Sequence, residues 1–397
     1  MAYDRIGQTL DLLLLPPPPT ATFEQFKDAY KPALSAVYTK LSAKLSGSHR
    51  VAVLDIALAI PDLLSFSCQS RARVFPYLQH FLATLYRLIG IICSEVKIKM
   101  DEPGGIDTRV VLVDYGGKTT VATEHHRMSQ QGPVLDLQTL ATSGRAWGGI
   151  YYLDNKAGQG LAEAFSSIAS HSLNPVPAGK EWARSQSPQV AEFSQSPSLH
   201  YSVAVGGTWD HFHLGHKMLL TATALAVEPV GDSDPNQERL ITVGVTVDEL
   251  LVNKKFAEYL QNYDARCTSA ASFLIDIINF IPDQHDTPRI QQGDKSVLFK
   301  LRPNLSLRMV QLSDPFGPTA TEEDIDVLIV SKETSQGGAA VNPERARRGL
   351  KSLDVFEVDV LYSWDPSATN VERRLDEKIS STDIRRRRAH VAKEHKS

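Results

Sequence analysis

Cysteine is scarce in this chain of 397 residues. The three cysteines, Cys68, Cys93 and Cys267, are widely spaced, and no two of them form a CxxC pair. An odd number of distant cysteines excludes a disulfide framework and a zinc ribbon as the basis of the fold. We therefore expect a reducing compartment and place the protein in the cytoplasm.

Long apolar runs and a dominant charge are also missing. The run Leu12–Leu15 is too short for the hydrophobic region of a signal peptide, and no stretch reaches the roughly 18 residues of a membrane helix. The formal net charge is -4, which argues for neither nucleic-acid nor membrane binding. The basic end of the chain, RRRRAHVAKEHK, is interpreted as a solvated tail, although it leaves access to the nucleus open.

Strand and helix patterns alternate along most of the chain. After residue 200 the alternation is regular, which indicates a parallel sheet with right-handed crossovers. The stretch NPERARRGLKSL begins like a helix, with Asn342 as cap and Pro343 in the first helical position. We predict an α/β protein in which a Rossmann-like, doubly wound parallel sheet follows a separate N-terminal α/β region. The expected parts are an extended segment 1–22, an α/β domain 23–171, a Ser/Pro/Gln-rich linker 172–200, the doubly wound domain 201–390 and a basic tail 391–397.

The stretch VAVGGTWDHFHLGHK lies after the first strand of the doubly wound domain and opens its first helix. Ligands of such sheets bind at the carboxyl ends of strands. Gly206 and Gly207 allow a ligand to approach the backbone, and the helix N-terminus offers N–H groups to an anion. His213 and His216 share one face of the first helical turn. This pattern is typical of a polyphosphate site.

Two other interpretations of the histidines were weighed. His211, His213 and His216 could supply three zinc ligands, but glycines before a helix are explained by phosphate and not by zinc. The histidines could also be ordinary surface or capping residues, which the strand–helix context disfavours. The phosphate interpretation is preferred, and no protein-bound metal is predicted.

Two motifs resemble those of the HxGH nucleotidyltransferase superfamily. The first motif, T-x-x-x-x-H-x-G-H, is matched by Thr208, His213, Gly215 and His216. The second, I-S-S-T-x-x-R, is matched by Ile379, Ser380, Ser381, Thr382 and Arg385. In that superfamily the two motifs converge on ATP, so their occurrence in this order is a more specific signal than either motif alone.

Further stretches resemble phosphopantetheine adenylyltransferases of the eukaryotic and archaeal type. These are VGVTVDELLVNKK, DPFGPTATEEDIDVLIVSKETSQGG and ISSTDIR. The resemblance covers about residues 200 to 390, with an N-terminal extension as in fungal versions. It implies transfer of AMP from ATP to 4′-phosphopantetheine, giving dephospho-coenzyme A and pyrophosphate in coenzyme A biosynthesis. Magnesium is expected to arrive with ATP, without dedicated protein ligands.

The resemblance also implies roles for individual residues. The implied catalytic residues are His216, Thr208 and Lys254, with Lys255 as the alternative lysine. The implied ATP-binding residues are Gly207, His213, His216, Ser380, Ser381, Thr382 and Arg385. Arg345 is a further candidate for a phosphate contact. Where the family usually has Phe, this chain has Trp209, for which a stacking or packing role is expected.

Two rival functions remain open at this point. A cytidylyltransferase of the same superfamily would use CTP, and a non-catalytic scaffold would bind nucleotide without turnover. The expected enzyme is monofunctional, because YGGKTT lacks the first glycine of a P-loop, for which Leu112 stands, and no kinase segment follows residue 390. Association with other coenzyme A pathway enzymes is left open.

Overall fold

The structure is a computed structural model of the chain. The residues it describes are 9–19, 22–64, 71–98, 104–116, 132–182, 199–229, 236–280, 289–293, 295–359 and 380–394.

The N-terminal part of the chain is a parallel sheet with helices between its strands. Its described strands are β1 (Thr9–Leu15), β2 (Ala52–Ile60), β3 (Ile106–Asp114), β4 (Val134–Asp136), β5 (Gly149–Leu153) and β6 (Leu173–Val176). Its described helices are α1 (Phe23–Leu45), α2 (Arg71–Glu95), α3 (Leu137–Ala141) and α4 (Lys156–Ile168). The strands pair in the order β4-β3-β2-β1-β5-β6, and every neighbouring pair is parallel. This is an α/β arrangement consistent with a Rossmann-like fold.

Residues 9–15, the first that the structure describes, depart from the sequence prediction. Residues 9–15 are not an extended segment outside the domain but form β1, which pairs with β2 on one side and β5 on the other. A short continuous apolar run is what a strand buried on both faces requires, and Leu12, Leu13 and Leu15 are fully buried. The strand β6 extends the same sheet beyond residue 171. Most of the predicted linker, residues 183–198, lies outside the described residues, as does Ile379.

The C-terminal part contains a second sheet. Its described strands are β7 (Ser202–Gly207), β8 (Arg239–Thr246), β9 (Arg289–Gln292), β10 (Ser296–Arg302), β11 (Leu305–Leu312), β12 (Val327–Ser331) and β13 (Asp354–Val358). Its described helices are α5 (Leu214–Leu225), α6 (Tyr263–Ile278), α7 (Ser335–Arg347) and α8 (Ser381–Glu394). The strand order is β13-β12-β7-β8-β11-β10-β9, parallel from β13 to β11, with β10 and β9 antiparallel at the edge. The order of the parallel strands reverses between β7 and β12.

Element boundaries in this second part correct the sequence analysis at two places. Helix α7 begins at Ser335, so Pro343 lies inside the helix. Asn342 is not a cap, because its side-chain amide exchanges two hydrogen bonds with the backbone of Leu353, at 2.9 and 3.0 Å. Helix α8 runs to Glu394, so most of the predicted basic tail is helical.

The two parts share one hydrophobic core. Buried side chains of α1 and α2 belong to the same cluster as those of α5, α6 and β7. The rings of Phe75 and Phe356 approach to 4.8 Å between centroids, and the Gly132 N–H donates to the Ile278 carbonyl at 3.0 Å. Among the helices that the structure describes, none combines the length and apolar character needed to span a membrane.

Candidate functional site

The segment Thr208–His216 leads from the carboxyl end of β7 into α5. Because β7 lies where the strand order reverses, this segment occupies the position at which open parallel sheets bind ligands. Trp209 and His211 have positive φ angles of 58° and 45°. Such angles are unfavourable for residues with side chains and persist only where surrounding contacts hold them. The conformation of the turn is therefore set by its tertiary contacts.

The buried side chain of Trp209 holds the turn against β8. This side chain is fully buried, and its indole N–H donates to the Gly244 carbonyl of β8 at 2.8 Å. A Cβ atom at position 207 would lie 2.9 Å from Cε2 of this indole, so Gly207 is required by the packing of Trp209. The packing role expected for Trp209 is the one observed, since a fully buried indole cannot stack on a bound nucleotide.

The two motif histidines lie face to face at the start of α5. The rings of His213 and His216 are stacked, with centroids 3.8 Å apart and planes 17° apart. Phe212 stacks on the His216 ring at 5.6 Å. A Cβ atom at position 215 would lie only 3.1 Å from Cε1 of His213, so Gly215 provides the space for this imidazole. The helix N-terminus and two imidazoles are thus presented together.

The second motif lies against the first, although it is distant in sequence. The Ser381 hydroxyl donates to the Asp210 carbonyl at 2.7 Å and lies 3.4 Å from Nε2 of His213. The Arg385 guanidinium pairs with the Asp210 carboxylate. Helix α8 is therefore attached to the turn that precedes α5. Its N-terminus and that of α5 can both offer backbone N–H groups to an anion.

The remaining hydroxyls of the second motif have local partners. Ser380 donates to the Asp383 carboxylate at 2.8 Å and accepts the Asp383 N–H at 3.2 Å. The Thr382 hydroxyl accepts from Arg385 at 3.1 Å. These bonds order the first turn of α8, and a phosphate would have to share or displace them.

Thr208 is positioned by a residue of helix α6. The Arg266 guanidinium, which is fully buried, donates to the Thr208 carbonyl at 2.6 Å and to the Gln261 carbonyl at 3.0 Å. It also pairs with the Asp248 carboxylate. One side chain therefore joins β7's carboxyl end, the loop after β8 and the start of α6. The sequence leaves open a structural role for Arg266, but it does not reveal the partners, because backbone carbonyls leave no signal in the sequence.

The lysines of the loop after β8 are solvent-exposed. Both Lys254 and Lys255 lie at the surface, and the Lys255 carbonyl accepts from Nε of Arg385 at 3.0 Å. The loop is thus attached to α8 beside the two motifs. These contacts do not distinguish the two side chains, so the preference for Lys254 stays a prediction.

Arg345 binds backbone carbonyls in the structure, and its expected phosphate contact stays a prediction. Its guanidinium is fully buried under α7. It donates to the backbone carbonyls of Lys351 and Thr319, each at 2.6 Å, and to those of Glu322 and Glu323 at 2.9 and 3.3 Å. A guanidinium bound in this way holds the end of α7 to the loop before β12.

Asp210 is a residue of the site that the sequence analysis does not identify. It is fully buried, and besides pairing with Arg385 it accepts the Gln261 N–H at 2.9 Å. The acidic residue within the stretch VGGTWDHFHLGHK was the available signal, because a carboxylate that becomes buried needs a cation nearby.

His211 is separate from the two motif histidines. Nε2 of its imidazole lies 2.7 Å from the Tyr259 carbonyl oxygen, and its backbone N–H donates to Oε1 of Gln261 at 2.8 Å. Burial lowers the pKa of His211 below the usual value, so the ring is neutral near pH 7. Within the described ranges, no three His, Cys, Asp or Glu side chains cluster as metal ligands would.

Comparison with known proteins links both parts of the chain to relatives. Residues 1–186 match a family model described as a domain of unknown function, DUF8446. Over 367 residues the chain is 33% identical to the uncharacterized protein C1F12.08 of Schizosaccharomyces pombe, covering 91% of this chain and 94% of that protein. The sequence similarity to this relative therefore extends over both parts of the chain.

Two further relatives have a named activity. Over 183 residues, 46% of this chain, the identity is 36% to phosphopantetheine adenylyltransferase of Saccharomyces cerevisiae and 31% to that of Thermococcus gammatolerans. The aligned segment spans about half of the yeast protein, 47%, but 86% of the archaeal one. By this similarity, the chain belongs to the phosphopantetheine adenylyltransferase family of nucleotidyltransferases.

Proposed function

We propose that the chain transfers AMP from ATP to 4′-phosphopantetheine, giving dephospho-coenzyme A and pyrophosphate, in a Rossmann-like C-terminal domain. The observation that carries the proposal is the junction of the two motifs. Ser381 and Arg385 contact the turn that ends at His216, at the carboxyl end of β7. Family membership supports the substrates, and the expected cytoplasmic location stays a prediction.

The reaction needs no nucleophile from the protein. A phosphate oxygen of 4′-phosphopantetheine forms a bond with the α-phosphorus of ATP. The bond from that phosphorus to the oxygen bridging to the β-phosphate breaks, and pyrophosphate leaves with the electron pair. The protein's contribution is to orient the two phosphates and to stabilise the charge that develops between them.

The geometry of the turn suits these tasks. The stacked imidazoles of His213 and His216 stand at the N-terminus of α5, where N–H donors and the helix dipole favour negative charge. In this proposal His216 donates to the α-phosphate and His213 to the neighbouring phosphates. Thr208, whose carbonyl is held by Arg266, orients the attacking phosphate.

Magnesium would accompany the nucleotide. The part of the chain that the structure describes contains no three-ligand cluster for it, so no step is assigned to a protein-bound metal. Lys254, on the exposed loop after β8, is the residue proposed to bridge the two substrates.

Pyrophosphate release tests the proposal. The full chain is assayed with 4′-phosphopantetheine and either ATP or CTP, beside His216→Ala and the control His49→Ala, which replaces an exposed histidine of the N-terminal part. We expect turnover with ATP, a loss of about a hundredfold or more in His216→Ala, and normal turnover in His49→Ala. A preference for CTP would indicate a cytidylyltransferase. Nucleotide binding without turnover in the wild type would indicate a scaffold.

The two lysines are separated by paired variants. Lys254→Met and Lys255→Met remove one ammonium each while the Lys255 carbonyl that accepts from Arg385 is kept. If Lys254 bridges the substrates, only Lys254→Met lowers kcat. The reverse result would assign the role to Lys255.

A further inference from the structure

Four charged side chains form a chain of ion pairs between the two parts of the molecule. Nζ of Lys217, in α5, lies 2.8 Å from Oδ1 of Asp107, in β3. Oδ2 of Asp107 lies 3.2 Å from Arg109, whose guanidinium is 2.7 Å from Oδ2 of Asp276, in α6. The charges alternate in sign, and Lys217 is almost fully buried. We call this set, Lys217–Asp107–Arg109–Asp276, the interdomain ion-pair chain.

The ion-pair chain holds the two helices that frame the proposed site. Lys217 directly follows His216 in the first turn of α5. Asp276 is near the end of α6, whose other end carries Arg266 and, through it, the Thr208 carbonyl. Asp107 and Arg109 lie two residues apart in β3. Asp107 thus contacts α5, and Arg109 contacts α6.

Other contacts hold the end of α6 in the same place. The Arg145 guanidinium donates to the Asp276 carbonyl, and to the Asn279 carbonyl at 3.2 Å. It also pairs with Asp55 of β2 at 2.7 Å. Because Arg145 lies in the segment between α3 and β5 and pairs with β2, the end of α6 is attached to the N-terminal part as well as to its own sheet.

In the Lys217–Asp107 pair the lysine side chain is buried, while the Asp107 side chain is 28% exposed. Burial alone would raise the pKa of Asp107, but the attraction of Lys217 and Arg109 outweighs it and holds the pKa well below the usual range. Asp107 is therefore ionised wherever the protein is folded at ordinary pH. Without this partner the buried ammonium of Lys217 would be uncompensated, and the first turn of α5 would have to move to reach water.

We propose that Asp107 is a positioning residue for the nucleotidyltransferase site, acting through Lys217 on the first turn of α5 and so on His216. The N-terminal part would then be a component of the active site's framework and not an independent module. The expected effect of Asp107 on turnover rests on the proposed function. The expected effect of Asp107 on the position of His216 does not depend on that function.

The turnover experiment compares Asp107→Asn with Asp28→Asn in the full chain. Asp28 also pairs with a lysine, Lys180, at 2.7 Å, but both side chains of that pair are exposed. Pyrophosphate release is measured at a temperature at which circular dichroism shows all proteins folded. We expect kcat of Asp107→Asn to fall about tenfold or more, because a displacement near 1 Å has effects of this order, and that of Asp28→Asn to stay unchanged. Adding Lys217→Met should change kcat of Asp107→Asn little, since both variants disturb the same contact.

A spectroscopic measurement keeps the inference testable even if the wild type lacks turnover. Carbon-13 histidine spectra of the substrate-free proteins are recorded, with His216→Gln to assign its signal. We expect the His216 signal to shift in Asp107→Asn and to stay in place in Asp28→Asn. A folded Asp107→Asn with an unmoved His216 signal and wild-type kcat would overturn the inference. If Asp107→Asn does not fold, Lys217→Met replaces it, because methionine keeps the buried aliphatic stem of the lysine. We then expect a lower kcat and a shifted His216 signal in Lys217→Met. A folded Lys217→Met with wild-type kcat and an unmoved His216 signal would overturn the inference.

Discussion

The Arg385 guanidinium forms a buried ion pair with the Asp210 carboxylate, 175 residues earlier in the chain. This pair attaches α8 to the turn that carries the stacked histidines. It also determines what α8 can contribute, because the helix N-terminus faces the site only while its first turns are held there. Besides the approach of Ser381 to His213, the two motifs are therefore joined through a residue outside the first motif's defining positions.

Replacing one member of this pair should be costly. In Asp210→Asn the Arg385 charge stays buried without its counter-charge, and we expect the free energy of unfolding to fall by about 3 to 5 kcal/mol. Urea unfolding followed by circular dichroism measures this. Glu24→Gln, which breaks the exposed pair with Lys27, is the control and should change the value by at most about 1 kcal/mol. Equal unfolding midpoints for Asp210→Asn and wild type would show that the pair contributes little.

Arg266→Lys tests the support of Thr208. A lysine carries its donors at one point and cannot reach two carbonyls and the Asp248 carboxylate together, as the fork of Arg266 does. We expect kcat for pyrophosphate release to fall about tenfold. The exposed Arg289 of β9 provides the control Arg289→Lys, for which kcat should equal that of the wild type. An unchanged kcat in Arg266→Lys would mean that Thr208 needs no such support.

Trp209→Phe separates packing from nucleotide stacking. The variant loses the indole bond to the Gly244 carbonyl, and we expect it to be less stable by about 1 to 3 kcal/mol. Because the indole is fully buried, KM for ATP should stay unchanged. Trp182→Phe, which loses a comparable bond to the Pro17 carbonyl in the N-terminal part, is the matched variant. A large rise in KM for ATP in Trp209→Phe alone would indicate direct stacking on the nucleotide.

Glu228 should give the stability of the protein a specific pH dependence. It lies at the contact between the two parts, where its carboxylate accepts the Arg71 N–H at 2.9 Å. Burial raises the pKa of Glu228 from the ordinary value of 4.5 to about 7. Between these pH values the folded protein retains a proton that the unfolded chain has released, so this group's contribution to the free energy of unfolding decreases as pH rises.

The variant Glu228→Gln removes that titration. Relative to the wild type, it should become more stable between pH 4.5 and 7, by up to about 3 kcal/mol. Urea unfolding at pH 5 and pH 8 measures the difference. The variant Glu163→Gln, at an exposed position of α4, should keep a constant difference from the wild type. A constant difference for Glu228→Gln as well would mean that its carboxyl group titrates normally.

The sequence predicted the elements whose local pattern matches their environment. The apolar stretches that form β7 and β12, and those of β2 and β3 despite their charged residues Asp55, Asp107 and Arg109, are strands that pair on both sides. The prediction was wrong where one local sequence pattern is compatible with two different structures. The run Leu12–Leu15 is too short for a signal peptide, but that length is sufficient for a central strand. Asn342 and Pro343 predict a helix start, but α7 begins at Ser335 and Asn342 binds Leu353 instead of capping.

The sequence by itself determined the chemistry that the site offers. Each of its two motifs can be recognised from residue types and their spacing within a short stretch of sequence. These motifs are the helix start with Gly215 and two imidazoles, and the distant hydroxyl-rich motif. Only the tertiary structure decided which groups support that site, because buried charges choose their partners by proximity in space. Asp210, Arg266 and Asp107 each hold a group far away in sequence. It also decided that Arg345 binds backbone carbonyls, since a buried guanidinium takes the acceptors that the fold places around it.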